Sequence, residues 1–321
     1  MGTAIKATPE MVRDYGRLFV NRGAYTVQSS RPHPGNGRHY YFRPRARENG
    51  RQLSLTGFTI RRHLEGQITV GLYAINPATQ RSKWVAIDAD YADAMEDLLK
   101  LQYSVRQDKA EAALEMSKRG GHLWLFMEKP ALARDCRIYI YSLALKLGMR
   151  IKGIGLAEGI EVFPKQNELR EGEFGNAIRG PLGIHRGANR RYWFYGANYD
   201  LEKQIAYLKG LRKVSEEQLR SFIDGKKMPP EFDRKRSSTH AVRCATSGHE
   251  FRILDHVGEV RKVGRNYVTR CPSCAEAGQD RSGDNLAVSI DDPRKYLCWA
   301  GCRREMIRRA VGCPIPVRRY A

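Results

Sequence analysis

A few ionisable residues stand where an apolar chain has little reason to keep them. The segment Lys83-Trp84-Val85-Ala86-Ile87-Asp88-Ala89-Asp90 reads as a strand ending in two carboxylates. A strand repeats every two residues, so Asp88 and Asp90 project from one face together with Ala86. Carboxylates at that spacing can share one or two divalent cations, Mg²⁺ or Mn²⁺. Phosphoryl transfer needs such ions to activate the attacking oxygen and to neutralise a pyrophosphate leaving group. Alone, Asp-x-Asp at a strand end is more often a turn or a helix cap. Two further segments strengthen it. Ser117-Lys118-Arg119-Gly120-Gly121-His122 is a basic, glycine-containing turn that feeds an apolar strand beginning at His122. Its glycines allow close approach of backbone to a ligand, and Ser117, Lys118, Arg119 and His122 offer donors to phosphate. In Gly159-Ile160-Glu161-Val162-Phe163-Pro164-Lys165-Gln166, Glu161 lies inside an apolar strand on the face opposite Ile160 and Val162. A carboxylate there needs a cation or a metal. The turn-rich stretch Gly175–Arg186 adds more donors, Arg179 and His185 among them.

The second chemical feature is thiolate. Cys271-Pro-Ser-Cys274 and Cys298-Trp-Ala-Gly-Cys302 are C-x2-C and C-x3-C pairs in a chain with seven cysteines. Two such pairs on turns converge into the tetrahedral site of a structural zinc ion. Cys244, His249 and Cys313 read as bystanders that could substitute as ligands. Arg303, Arg304, Arg308 and Arg309 follow on a short helix, with Met306, Ile307 and Ala310 interleaved. That spacing makes either a solvated basic face or a phosphate-binding stripe.

These residues need a scaffold, and the chain is long enough for one. It has 321 residues, 41% of them hydrophobic, so a packed core is expected. Lys and Arg number 56 against 35 Asp and Glu, a formal net charge of +21. The excess is uneven: residues 1–66 carry 12 basic and 4 acidic side chains, and residues 261–321 carry 13 and 6. Such an excess costs self-repulsion, and a polyanion is its usual partner. No stretch has the length of a membrane span and no secretory signal opens the sequence, so a cytoplasmic protein with no membrane partner is expected.

The coarse pattern is α/β. Residues 9–21 read as a helix capped by Thr8. Strands are expected at Tyr40–Phe42, Ile68–Ile75, Trp84–Asp90, His122–Phe126 and Ile160–Phe163, and helices at Met95–Val105, Ala133–Leu147 and Asp200–Leu211. A charged helical stretch then leads to Met228-Pro229-Pro230 and the basic, Ser-rich run Arg234–Thr239. The expected division is a catalytic domain over 1–212, a basic helical linker over 213–241 and a zinc-binding module over 242–321.

With these motifs in order, the chain resembles the archaeo-eukaryotic primase superfamily, and within it the primases of mobile elements and conflict systems. Asp88 and Asp90 match the first motif, and Ser117 to His122 with Trp124 match the second. The string Glu161–Gln166 matches the third, and Gly175 to Leu182 its Gly-Asn-x-Ile-x-x-Pro-Leu sequel. The resemblance spans roughly residues 35–210. It implies the primase catalytic core with mixed sheets and a two-metal site held by Asp88, Asp90 and Glu161. It also implies Ser117 and His122, with Lys118, Arg119 and Gly121 of the same turn, at the nucleotide, and Lys165, Arg179 and His185 as further phosphate or template contacts. The third acidic position is often Asp in that family and is Glu here; Asp200 is the alternative. Ile253–Val257, Val263–Pro272, Asn285–Ile290 and Tyr296–Cys298 resemble the zinc-binding domain of bacterial replicative primases, which contacts single-stranded template. Here Cys274 replaces the usual His, the second pair is one residue longer, and the module follows the catalytic domain. The implied function is primer synthesis from NTPs or dNTPs on single-stranded DNA, with a helicase or other replication protein as a candidate partner. A polymerase that only extends primers, and a DNA-binding initiator without catalysis, are the alternatives.

Overall fold

The computed structural model describes residues 5–34, 37–152, 156, 158–233, 251–276 and 283–313. The chain divides into two compact units, Met1–Arg234 and Lys235–Ala321.

In the first unit the elements run α1 (Pro9–Phe19), β1 (Tyr25–Gln28), β2 (Tyr41–Phe42), α2 (Gly57–Leu64), β3 (Val70–Tyr73), β4 (Arg81–Ala89), α3 (Ala94–Gln107), β5 (Ala112–Met116), β6 (Gly121–Leu132), α4 (Ala133–Lys146), β7 (Glu161–Phe163), β8 (Ala177–Arg179), β9 (Ile184–His185), β10 (Arg190–Arg191), α5 (Leu201–Gly210), α6 (Glu216–Ile223) and α7 (Pro230–Asp233). Two four-stranded sheets result, ordered β2-β1-β3-β8 and β5-β6-β4-β7. Every named strand pair in them is antiparallel, and among the described residues parallel pairing is confined to the isolated bridges Met127↔Val214 and Ile151↔Ile160.

Trp84 to Ile87 is apolar at every position, and such a strand has to be covered on both faces. One face of the β5-β6-β4-β7 sheet carries Val85, Ile87, Leu123, Leu125 and Val162, and packs on Leu98 and Leu101 of α3 and Ile140 of α4. The other carries Trp84, Ala86, Trp124 and Phe126 and meets α1, α5 and the second sheet. Aromatic rings fill that layer: Trp84 and Trp124 lie 5.0 Å apart edge to face, and Trp84 Nε1 donates to the Phe19 carbonyl at 2.8 Å.

The segment expected as a linker is packed as far as the described residues reach. A Ser215/Gln218 capping box starts α6, Leu219 is buried, Phe222 stacks on Tyr139 and Phe232 stacks on Tyr141. The run Arg234–Thr239 lies outside the described residues.

In the second unit β11 (Arg261–Val263), β12 (Asn266–Thr269), β13 (Leu286–Ser289) and β14 (Tyr296–Cys298) form an antiparallel sheet in that order. The short helices α8 (Pro272–Glu276) and α9 (Arg304–Ala310) accompany it. Its core holds Ile253, Leu286, Val288, Tyr296 and Ile307 around buried cysteines. No helix among the described residues is long and apolar enough to cross a membrane.

Candidate active site

Strand register builds the site. Asp88 on β4 pairs with His122 on β6 and with Glu161 on β7, and His122 pairs with Glu115 on β5. Partners directly opposite share a face. Glu115, His122, Asp88 and Glu161 therefore form one rung across all four strands, on the Trp84/Ala86 face.

Glu115 is fully buried and anchors the rung. It accepts from Arg179 Nη2 at 2.6 Å, meets His122 Nδ1 at 2.8 Å and accepts from Trp124 Nε1 at 3.2 Å. Burial alone would raise its pKa, but Arg179 and His122 outweigh burial and hold it below the usual carboxylate range. For His122 burial pulls downward, and Glu115 and Asp88 reverse this, lifting its pKa to about 9. The imidazolium then donates to Glu115 from Nδ1. Its Nε2 lies 3.4 Å from Asp88 Oδ1, close enough for attraction but leaving that buried oxygen without a hydrogen bond.

Asp90 follows the end of β4. Its Oδ2 is bound by Arg119 Nη2 at 2.6 Å, and its Oδ1 accepts from Ser117 Oγ at 3.3 Å. Glycine permits this approach: a Cβ on Gly120 would lie 2.1 Å from the Ala89 carbonyl oxygen, and one on Gly121 would lie 2.9 Å from the Glu115 carbonyl oxygen. The room these glycines make is taken by the protein's own strands, which brings Ser117 and Arg119 to Asp90 and leaves Lys118 exposed. Glu161 is bound by Lys152 and Lys165. Burial raises its pKa, the two ammonium groups more than offset this, and the net shift is downward.

Among the described residues, the four cysteines are the one group of metal-ligating side chains whose donor atoms lie within 4.8 Å of one another. Asp88 and Glu161 are partners in register and Asp90 follows two residues on, but Asp90 and Glu161 are engaged with cations of the chain. Their all-oxygen donor set and the orphaned Asp88 Oδ1 suit a hard divalent cation.

The remaining residues singled out in the sequence are placed as follows. Arg179 is buried against Glu115. His185 is half-buried on β9 and accepts from the Ala188 N–H at 3.0 Å; burial, then Arg179, holds its pKa below the ordinary value. Asp200 caps α5 by accepting from the Glu202 and Lys203 N–H groups. Glu115 and Lys152 were not foreseen. Glu115 carries the signal that marks Glu161, a lone charge in an apolar run, here Ala112-Ala113-Leu114-Glu115-Met116.

In the second unit Cys274 Sγ lies 3.5 Å from Cys298 Sγ and 3.3 Å from Cys302 Sγ, with Cys271 in the same cluster. Thiolates about 2.3 Å from a tetrahedral zinc ion approach one another at roughly such distances. Cys313 Sγ stands apart, 4.0 Å from His256 Nε2, and Cys244 and His249 lie outside the described residues. On α9 and its cap, Arg303 and Arg309 are exposed, Arg304 lies over Tyr296, and Arg308 lies 4.0 Å over the Phe251 ring.

The family model for the archaeo-eukaryotic primase domain of TOTE conflict systems matches residues 23–222. Among solved structures, the polymerase domain from Mycobacterium tuberculosis Ligase D in complex with DNA is similar, at 11% identity, over 68% of this chain and 87% of that one, with a TM-score of 0.34. The catalytic domain of primase Repb' in complex with initiator DNA is similar at 12% identity, over 68% of this chain and 95% of that one, with a TM-score of 0.33. No curated protein matches the chain.

Proposed function

The chain belongs to the archaeo-eukaryotic primase domain family of TOTE conflict systems, and from that premise we propose that it is a nucleotidyltransferase that starts primers on single-stranded DNA. In the reaction a 3′-hydroxyl oxygen forms a bond to the α-phosphorus of an NTP or dNTP. The bond to pyrophosphate breaks, and the hydroxyl proton is released. Mg²⁺ or Mn²⁺ held by Asp88, Asp90 and Glu161 would acidify the attacking hydroxyl and neutralise the leaving group. The chain's own residues do the positioning. Glu115 fixes the His122 ring through Nδ1, so that Nε2 is presented beside Asp88. Arg119 and Ser117 hold Asp90 at the turn, and with Lys118 they supply donors for the triphosphate once Asp90 is engaged elsewhere. Lys165 does the same at Glu161.

The observation that carries this reading is the rung itself, with Asp88 between His122 and Glu161 and its buried oxygen lacking a hydrogen bond. Zn²⁺ on Cys271, Cys274, Cys298 and Cys302 is proposed as structural. Arg303, Arg304, Arg308 and Arg309 are proposed to meet template phosphates.

The test is synthesis on unprimed single-stranded DNA with Mg²⁺ or Mn²⁺, NTPs and dNTPs being supplied in separate reactions. Short products are expected, and Asp88→Ala and Asp90→Ala should each abolish them while leaving DNA binding intact. Synthesis retained in either variant would sink the site assignment. Extension of an annealed primer without synthesis on bare template would replace initiation by primer extension.

A further inference from the structure

Two arginines of the first unit are almost wholly buried, and they are balanced differently. Arg179 faces the Glu115 carboxylate. Arg137, on α4 and 3% exposed, makes no ion pair among the described residues. Its Nη1 donates to Asn167 Oδ1 and its Nη2 donates to the Phe232 carbonyl at 3.3 Å, both neutral acceptors, while its buried Nε–H has no acceptor. The Tyr141 ring, 5.3 Å from the guanidinium carbon, is the remaining compensation. A buried guanidinium left on neutral partners is costly unless an anion visits it.

There is space for one. Where β7 forms the edge of its sheet, a cavity of about 350 Å³ is lined by Arg137, Lys152, Lys165 and Glu161. Tyr141 and Phe232, stacked at 4.2 Å with their planes 7° apart, complete its wall. Three cations thus surround one carboxylate. Glu161 engages Lys152 and Lys165 and not Arg137, so the charged residues that line the cavity sum to a net positive charge. Glu161, on the rung face, and Val162, in the layer packed on α4, both line the cavity, which therefore lies at the edge of the strand. His122 and Asp88 do not line it.

We propose that this cavity is a phosphate-binding subsite beside the metal-facing rung, with which it shares Glu161. Its ligand is a phosphate group, borne by a nucleotide or by the end of a nucleic-acid strand. Arg137 supplies the buried donors, and Lys152 and Lys165 close over the anion from the rim. The fork geometry of a guanidinium and the flexible reach of two ammonium groups suit the several oxygens of a phosphate better than a single carboxylate.

The experiment is equilibrium binding to the full chain without added divalent cation, read by calorimetry at fixed ionic strength. The probes are inorganic triphosphate, a nucleoside triphosphate, and a short oligonucleotide carrying either a 5′-phosphate or a 5′-hydroxyl. Arg137→Met and the surface variant Lys152→Ala should each weaken the relevant probe about tenfold or more, as expected for a lost charge-assisted hydrogen bond. Asp88→Asn should bind as the parent does. That variant separates this site from the catalytic proposal, because synthesis can fail while phosphate binding persists. Weakening confined to the triphosphates identifies a nucleotide as the source; loss of the preference for 5′-phosphate over 5′-hydroxyl identifies a strand end. Parent-like binding of all probes by both Arg137→Met and Lys152→Ala, each checked for parent-like thermal unfolding, would overturn the proposal. So would weakening by Asp88→Asn equal to that by Arg137→Met.

Discussion

At the scale of single residues, buried charge explains both what was legible and what was hidden. Asp88 and Glu161 could be read from sequence because a carboxylate in an apolar strand stands out against its neighbours. Glu115 stands out equally, but Ala112-Ala113-Leu114-Glu115-Met116 suits a helix as well as a strand, so nothing local marks it as part of a sheet. Arg137 and Lys152 carry no contrast in a chain with 56 basic residues. Glu115→Gln should destabilise the first unit by about 3–5 kcal/mol, because Arg179 and His122 lose their shared counter-charge. Denaturant unfolding measures this, and a Glu115→Gln/Arg179→Met double variant should recover part of the loss. A second residue gives a pH test. His63 is buried, its Nδ1 accepts from the Val70 N–H and its Nε2 meets the Pro181 carbonyl. Burial first, with Arg179 and Arg191 adding, lowers its pKa to about 4. The unfolded chain takes up that proton near pH 6.5, the folded one only near 4. Stability from this group is complete above pH 6.5 and falls as pH drops towards 4, by about 3 kcal/mol in all. His63→Gln should flatten that slope. An unchanged slope would show that other groups control acid unfolding.

At the scale of elements, the strongly patterned strands and long helices were readable, as were the short strands β2, β3 and β7, whereas β1 and α2 were not. β4, β6, α3 and α4 lie close to their expected positions, since their apolar periodicity is long enough to be unambiguous. β1 and α2 carry few apolar positions of their own and take their form from what they pack on. Turn glycines show a different limit. Sequence reveals that Gly120 makes room but not for what, and the Ala89 carbonyl fills that room. Gly120→Ala should therefore displace the Ser117–Arg119 turn from Asp90, and primer synthesis should fall by tenfold or more while the fold persists. Gly183 is comparable, since a Cβ there would lie 2.0 Å from His63 Cε1. Gly183→Ala should cost about 1–3 kcal/mol, measured by thermal unfolding, with His63 forced off its two backbone partners.

At the scale of the whole molecule, charge and core size lead to two predictions. The charge of +21 predicts DNA affinity that falls steeply with salt, measurable as a linear slope of log affinity against log salt. The second unit has a small core, so its fold should depend on an ion held by the four clustered cysteines. Chelation should release about one zinc ion per chain and make residues 251–313 sensitive to protease; a metal-free unit that resists protease would exclude a structural ion. Sequence could not show that the four strands of one sheet each place an ionisable residue on the same rung, because register is a property of pairing rather than of any segment. That rung makes the site indivisible. Its members lie between Asp88 and Glu161 along the chain, and no fragment short of the assembled sheet holds all four. A slip of one residue at β7 would drive Glu161 into the layer where Ile160 and Val162 are buried, at a cost no solvent could relieve. Misassembled chains are thus silent by construction, and turnover by a population of this protein would count only the molecules whose strands have aligned.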